Sequence, residues 1–121
     1  MEDMENIIEI GLLMDFYGQL LTESQMSVME MYYNEDWSLS EIAENLNISR
    51  QGAHDFIKRA KMMLVEYEEK LQLVNKFQVT KDKVNSILEY MVSIDYEDMS
   101  EINATVCHKV EERLMNLIKD I

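Results

Sequence analysis

The chain contains no proline, and glycine occupies only three of its 121 positions. Sheets need reversals of direction, and tight turns draw on those two residues for their fixed or left-handed backbone angles. Their scarcity points to an all-α fold whose helices end on polar caps. Hydrophobic residues make up 47% of the sequence, enough to pack one domain, or one domain with an appendage. A single cysteine, Cys107, excludes an internal disulfide and fits a reducing, cytoplasmic setting. No run of 18 uncharged apolar residues occurs, so no membrane span is expected. The apolar stretch from Ile7 to Leu21 is interrupted by Glu9 and Asp15. It follows Glu2, Asp3 and Glu5, which are the wrong sign for a signal peptide.

Capping signals divide the chain. Ile7, Ile8, Leu12, Leu13, Phe16, Tyr17 and Leu20 mark a first helix over 5–21, apolar enough to be buried on more than one side. Thr22, with Gln25 three residues on, forms a capping box for a second helix reaching about Asn34, with Met26, Met29, Tyr32 and Tyr33 inward. A short polar link follows, in which Trp37 is expected to be a corner anchor rather than an exposed contact. Ser38 and Glu41 repeat the box for a third helix with Leu39, Ile42, Ala43 and Leu46 on its apolar face. Asn47 suits a left-handed turn, Ile48 is expected to be buried just past it, and Ser49 caps a fourth helix. That helix is long. Ala53, Phe56, Ile57, Ala60, Leu64, Tyr67 and Leu71 recur at three- and four-residue spacing from Arg50 to about Leu73.

Beyond it a break is expected over 74–81, with Thr80 capping a helix that carries Val84, Ile87, Leu88 and Met91. A polar link at 95–98 follows, and Asp98 with Glu101 suggests a last cap. Met99, Ile102, Val106, Val110, Leu114, Leu117 and Ile121 then form an apolar stripe. The stripe suits either packing on the preceding helix or pairing with a second copy.

Residues 38–61, SLSEIAENLNISRQGAHDFIKRAK, meet the steric demands of a helix-turn-helix one by one. Ala43 is small where the second helix crosses the first. Leu46 and Ile48 flank the turn, and Ala53, Phe56 and Ile57 give the second helix its inward face. Arg50, Gln51, His54, Asp55, Lys58 and Arg59 point outward, and Arg50, His54 and Lys58 recur every four residues as one stripe. Arginine and glutamine make bidentate contacts to guanine and adenine edges. Lys58, Arg59 and Lys61 suit phosphates, and Ser49 offers a hydroxyl and a backbone N–H at the helix start. Ser49, Arg50, Gln51, His54, Lys58, Arg59 and Lys61 are therefore the candidate nucleic-acid contacts. The competing reading is a solvated basic face.

Charge sharpens the choice. Residues 1–37 hold nine acids and neither lysine nor arginine, whereas 38–62 hold four bases against three acids. The helix-turn-helix is thus the only net-positive segment of a chain whose net charge is −13. Affinity for nucleic acid rests on phosphate neutralisation, so the acidic body predicts weak or strongly salt-dependent binding unless a partner or a dimer adds positive surface.

Other chemistry finds little support. Cys107 and His108 are neighbours on a helix and point apart, so they do not form a metal pair. His54 beside Asp55 lacks a nucleophile to serve. The eleven methionines fall mostly on apolar stripes and read as core. Without a glycine-rich phosphate loop, a paired-carboxylate motif or a nucleophile elbow, a non-enzymatic protein without cofactor is expected.

The run LTESQMSVMEMYYNEDWSLSEIAENLNISRQGAHDFIKRAKMMLVEYEEKL, residues 21–71, with LLMDFYGQLL before it, resembles the YlxM family of small bacterial proteins. The resemblance covers about 7–77, and S-L-S-E-I-A-E, S-R-Q and I-K-R carry it. The segment is more distantly similar to region 4 of sigma factors, the helix-turn-helix that reads promoter −35 elements. The resemblance implies an all-helical fold and a nucleic-acid-binding regulatory role. It also implies a tie to the signal recognition particle pathway, drawn from the family's gene neighbourhood beside the particle's GTPase. By position, Ser49, Arg50, Gln51 and the Ile57-Lys58-Arg59 run sit on the family motif. Asn47 stands where glycine is common, and His54 where tyrosine is usual.

Two functions follow as expectations. Residues 38–61 dock on DNA or on signal-recognition-particle RNA; duplex DNA is the better mechanical fit, because A-form RNA has too narrow a major groove. Alternatively the acidic N-terminal helices bind a basic protein, such as the particle's GTPase. The domain reading is 1–77 for the helix-turn-helix domain and 78–121 for a helical extension and candidate dimerisation element, the latter read from periodicity alone.

Overall fold

In a computed structural model, which describes residues 4–120 (6–119 with side chains), the capping signals delimit most of the elements they were read from. The described residues form six α-helices: α1 (Met4–Tyr17), α2 (Glu23–Tyr33), α3 (Leu39–Leu46), α4 (Arg50–Leu71), α5 (Leu73–Val92) and α6 (Glu101–Asp120). A 3-10 turn, Gly18–Leu20, joins the first two, and no strand is present among the described residues. Contacts divide the chain into two compact units, one ending at Val74 and one beginning at Asn75.

Both capping boxes are formed. Thr22 Oγ1 accepts the Gln25 N–H at 3.1 Å while Gln25 Oε1 accepts the Thr22 N–H at 2.9 Å. Ser38 and Glu41 do the same at 3.1 and 3.2 Å. Each box satisfies two helix-end donors that no intrahelical carbonyl can reach. A Cβ at Gly18 would lie 2.8 Å from Met26 Sδ, the flexible end of a side chain that would have to move aside. Trp37 packs against the core as the corner anchor, and its N–H reaches back to the Met31 carbonyl at 2.9 Å across Asp36, which is left-handed.

The core of the first unit is built around α4. Ala53, Ile57, Ala60 and Leu64 form its buried line, with the alanines admitting close helix crossings. Ile42 and Ala43 of α3, Val28 and Met29 of α2, and Ile10, Leu13, Met14 and Tyr17 of α1 pack onto it. Each large side chain buried here contributes about 1.5–3 kcal/mol over an exposed one.

Several expectations are corrected. In the first helix Ile10, Leu13, Met14 and Tyr17 are buried and Leu12 and Phe16 pack partly buried against the core from another side, but Ile7 and Ile8, and Leu20 beyond the helix, face solvent. Ile48 is 41% exposed. It lies over the first turn of α4, with its Cβ and Cδ1 3.8 and 3.7 Å from where a Gly52 Cβ would stand. Leu71, at the end of α4, is also exposed.

No break occurs over 74–81, and Thr80 caps nothing, because α5 runs unbroken from Leu73. The interruption is the single residue Gln72, left-handed at φ 55°. Its N–H returns to the Glu68 carbonyl at 2.9 Å, and the chain restarts as helix at once. The last helix is capped by Ser100, whose Oγ accepts the Asn103 N–H at 3.1 Å, not by Asp98.

In the second unit Val84 is buried, and the Tyr96 ring stacks on His108 with centroids 4.7 Å apart. The α6 stripe is largely exposed, Ile102 to 76%. Ile121, Glu2 and Asp3 lie outside the described residues.

Candidate nucleic-acid interface

The turn between α3 and α4 sets the orientation of everything on α4. Asn47 adopts φ 58°, ψ 44°, the left-handed region that an asparagine tolerates better than most L-residues. The Ile48 N–H bonds the Ala43 carbonyl at 3.0 Å and the Asn47 N–H bonds that of Glu44 at 3.3 Å, the pairing of a Schellman motif. Two residues later Ser49 caps α4, its Oγ accepting the Gly52 N–H at 2.9 Å. The chain turns from α3 into α4 within three residues, and Arg50 begins the new helix.

A groove of about 420 Å³ opens between that outer side and the end of α2. Its α4 wall is Arg50, His54, Ile57, Lys58 and Lys61; Tyr32, Tyr33 and Leu39 supply the facing wall. Four of the seven sequence candidates thus converge: Arg50, His54, Lys58 and Lys61. Three of them are arginine or lysine, and among the described residues no carboxylate lines the groove. An anion entering it meets cations spaced along about 16 Å of helix, at 1.5 Å per residue over eleven residues.

The other three candidates sit elsewhere. Ser49 spends its oxygen as an acceptor on the cap. Gln51 Nε2 donates to Asp55 Oδ1 at 3.1 Å, one helical turn on. Arg59 is exposed but lies off the groove. Asp55 also stands 3.6 Å from His54 Nδ1, and protonation of that imidazole makes the contact an ion pair.

Tyr32 and Tyr33 are the site residues missed at the sequence level, where both read as inward. They are half-buried, packing on the core and lining the groove at once, with their rings edge to face at 5.0 Å and 85°. Two adjacent tyrosines at a helix end signal an amphipathic wall, since the phenol keeps a polar tip on an apolar body.

Among the described residues no cluster of His, Cys, Asp or Glu is disposed to hold a metal. No described helix is long and apolar enough to cross a membrane.

Comparison with known proteins places these features in a group. A family model described as "Putative helix-turn-helix protein, YlxM / p13 like" (UPF0122) matches residues 4–105. A UPF0122 protein of Acetivibrio thermocellus is 48% identical over 116 residues, covering 96% of this chain and 99% of that protein. One from Clostridium kluyveri is 42% identical over 115 residues, 95% of this chain and all of the relative. A third, from Desulforamulus reducens, is 53% identical over 85 residues, 69% and 73% of the two chains. The similarity therefore extends past residue 77, through α5 and into α6.

Proposed function

This chain belongs to the YlxM / p13-like helix-turn-helix family (UPF0122), and on that premise we propose that it is a nucleic-acid-binding regulatory protein whose contact surface is the outer side of α4. The observation that carries the reading is the groove. The only net-positive stretch of an acidic chain gathers Arg50, His54, Lys58 and Lys61 on one concave surface whose lining, among the described residues, holds no carboxylate. Lys58 and Lys61 hold phosphates, and Arg50, at the helix start, reaches a base edge or a further phosphate. Tyr32 and Tyr33 add ring surface against which a sugar or base packs.

The context we propose is the signal recognition particle pathway, on the strength of the family resemblance. Replacing Arg50 and Lys58 together by alanine tests the site. Binding of labelled duplex DNA or signal-recognition-particle RNA, followed by fluorescence anisotropy, is expected to weaken about tenfold or more. Unchanged affinity would remove α4 as the contact surface.

A second reading has one observation in its favour. A groove of about 520 Å³ at the α1–α2 corner is lined by Asp15, Glu23 and Glu30 together with Met14, Leu21 and Met26. That mixture of carboxylates and apolar surface suits a basic segment of a partner protein. Under this reading Glu23→Lys with Glu30→Lys abolishes capture of a basic partner, such as the particle's GTPase, and leaves nucleic-acid binding intact or stronger.

A further inference from the structure

Beyond the nucleic-acid groove, α4 carries an exposed strip that the core does not use. A shallow groove of about 420 Å³ runs along it, lined by Lys58, Lys61, Met62, Val65, Glu66 and Glu69. Steps of three and four residues put these side chains on one face of the helix. Met62 and Val65, 54% and 38% exposed, form its apolar centre. The charges around that centre are segregated: both lysines precede it, and both glutamates follow it.

Segregation of this kind decides how two such faces can meet. Parallel copies set lysine beside lysine and glutamate beside glutamate, whereas antiparallel copies lay the basic half of each over the acidic half of the other. With a two-fold axis midway between Met62 and Val65, Lys58 comes level with Glu69 of the second copy, and Lys61 level with Glu66. The apolar residues of both chains close around the axis. Such a contact is isologous, so each match occurs twice.

We propose that this strip is a self-association site, on which a second copy of the chain docks α4 against α4 in antiparallel register. The apolar centre is small, so charge supplies much of the selectivity. The dimer is weak and loosens as salt rises.

Sedimentation of the full chain, without nucleic acid, tests the site independently of the functional reading. The wild type is expected to move from monomer to dimer over roughly micromolar to millimolar concentrations. K58E/K61E and E66K/E69K each bring like charges together across the axis, and each is expected to weaken association by about tenfold or more. An equimolar mixture of the two variants is expected to restore it, because introduced glutamates on one chain then face lysines on the other along the whole strip. Met62→Ser with Val65→Ser leaves every charge in place and is also expected to weaken association. It carries the test if a reversed variant loses its helical circular dichroism. A wild type that stays monomeric overturns the proposal. So does a mixture that stays monomeric, or association that survives both reversals, which would put the contact elsewhere, such as the exposed stripe of α6.

Discussion

Asn47 shows how much rests on one backbone conformation. With φ at 58° it reverses the chain between α3 and α4, and every groove residue on α4 takes its position from that reversal. Alanine has no side-chain oxygen to ease the left-handed region, so Asn47→Ala is expected to cost about 1 kcal/mol in urea unfolding. Asn47→Gly, free of the steric penalty, is expected to be close to neutral. This residue was legible in advance because asparagine between two amphipathic segments is a recognised left-handed cap. Asp36 and Gln72 hold the same conformation and were not legible. Glutamine carries no local preference for it, and Asp36 sits in a link where several conformations suit the sequence.

At the scale of elements, the junction between α4 and α5 depends on residues far away in sequence. The Tyr17 hydroxyl donates to Glu68 Oε1 at 2.5 Å and accepts the Leu73 N–H at 3.1 Å. The same Glu68 oxygen accepts the Val74 N–H at 3.0 Å. A phenol and a carboxylate thus cap the start of α5, where negative charge is favourable. Tyr17→Phe is expected to destabilise the chain by about 1 kcal/mol, because the Leu73 N–H loses its acceptor and Glu68 loses a donor.

Burial, and then the hydrogen bond to Glu68, hold the Tyr17 phenol above its ordinary pKa of 10.0. The neutral phenol is therefore favoured in the folded state. Its contribution is complete below pH 10 and is lost as pH rises from there through the folded value. Urea midpoints near neutral pH and above pH 10 are expected to fall more for the wild type than for Tyr17→Phe; equal losses would mean that another group governs alkaline unfolding.

This junction also explains the misplaced break. Local sequence over 74–81 offers polar residues and a threonine, which resemble a link. The true stop is Gln72, bonded back to α4 carbonyls, and the restart after it takes its caps from Tyr17 of α1 and Glu68 of α4. Helix existence and the two capping boxes depend on neighbours three or four residues apart, and those were readable. The exposure of Ile48, of Ile7 and Ile8, and the tyrosine wall of the groove depend on tertiary packing, and those were not.

At the scale of the whole molecule, charge sets the terms. A net charge of −13 repels nucleic acid, so the proposed binding relies on a few cations placed together rather than on a diffuse basic surface. Lys58 and Lys61 line both the proposed nucleic-acid groove and the proposed self-association strip. One pair of lysines does not serve phosphates and a second copy's glutamates at full strength together. Saturating nucleic acid is therefore expected to shift the sedimenting species from dimer toward monomer; a dimer strengthened by nucleic acid would separate the two surfaces.

The most direct test of the central claim is the salt dependence of nucleic-acid binding by the wild-type chain, with duplex DNA and signal-recognition-particle RNA measured side by side by fluorescence anisotropy. Three groove cations acting on phosphates give a slope of log affinity against log salt of about −3 on duplex DNA, and about −2 on single-stranded segments of the RNA. Binding with such a slope to either ligand is the expected result. No binding to either at low salt, or binding without salt dependence, would contradict it.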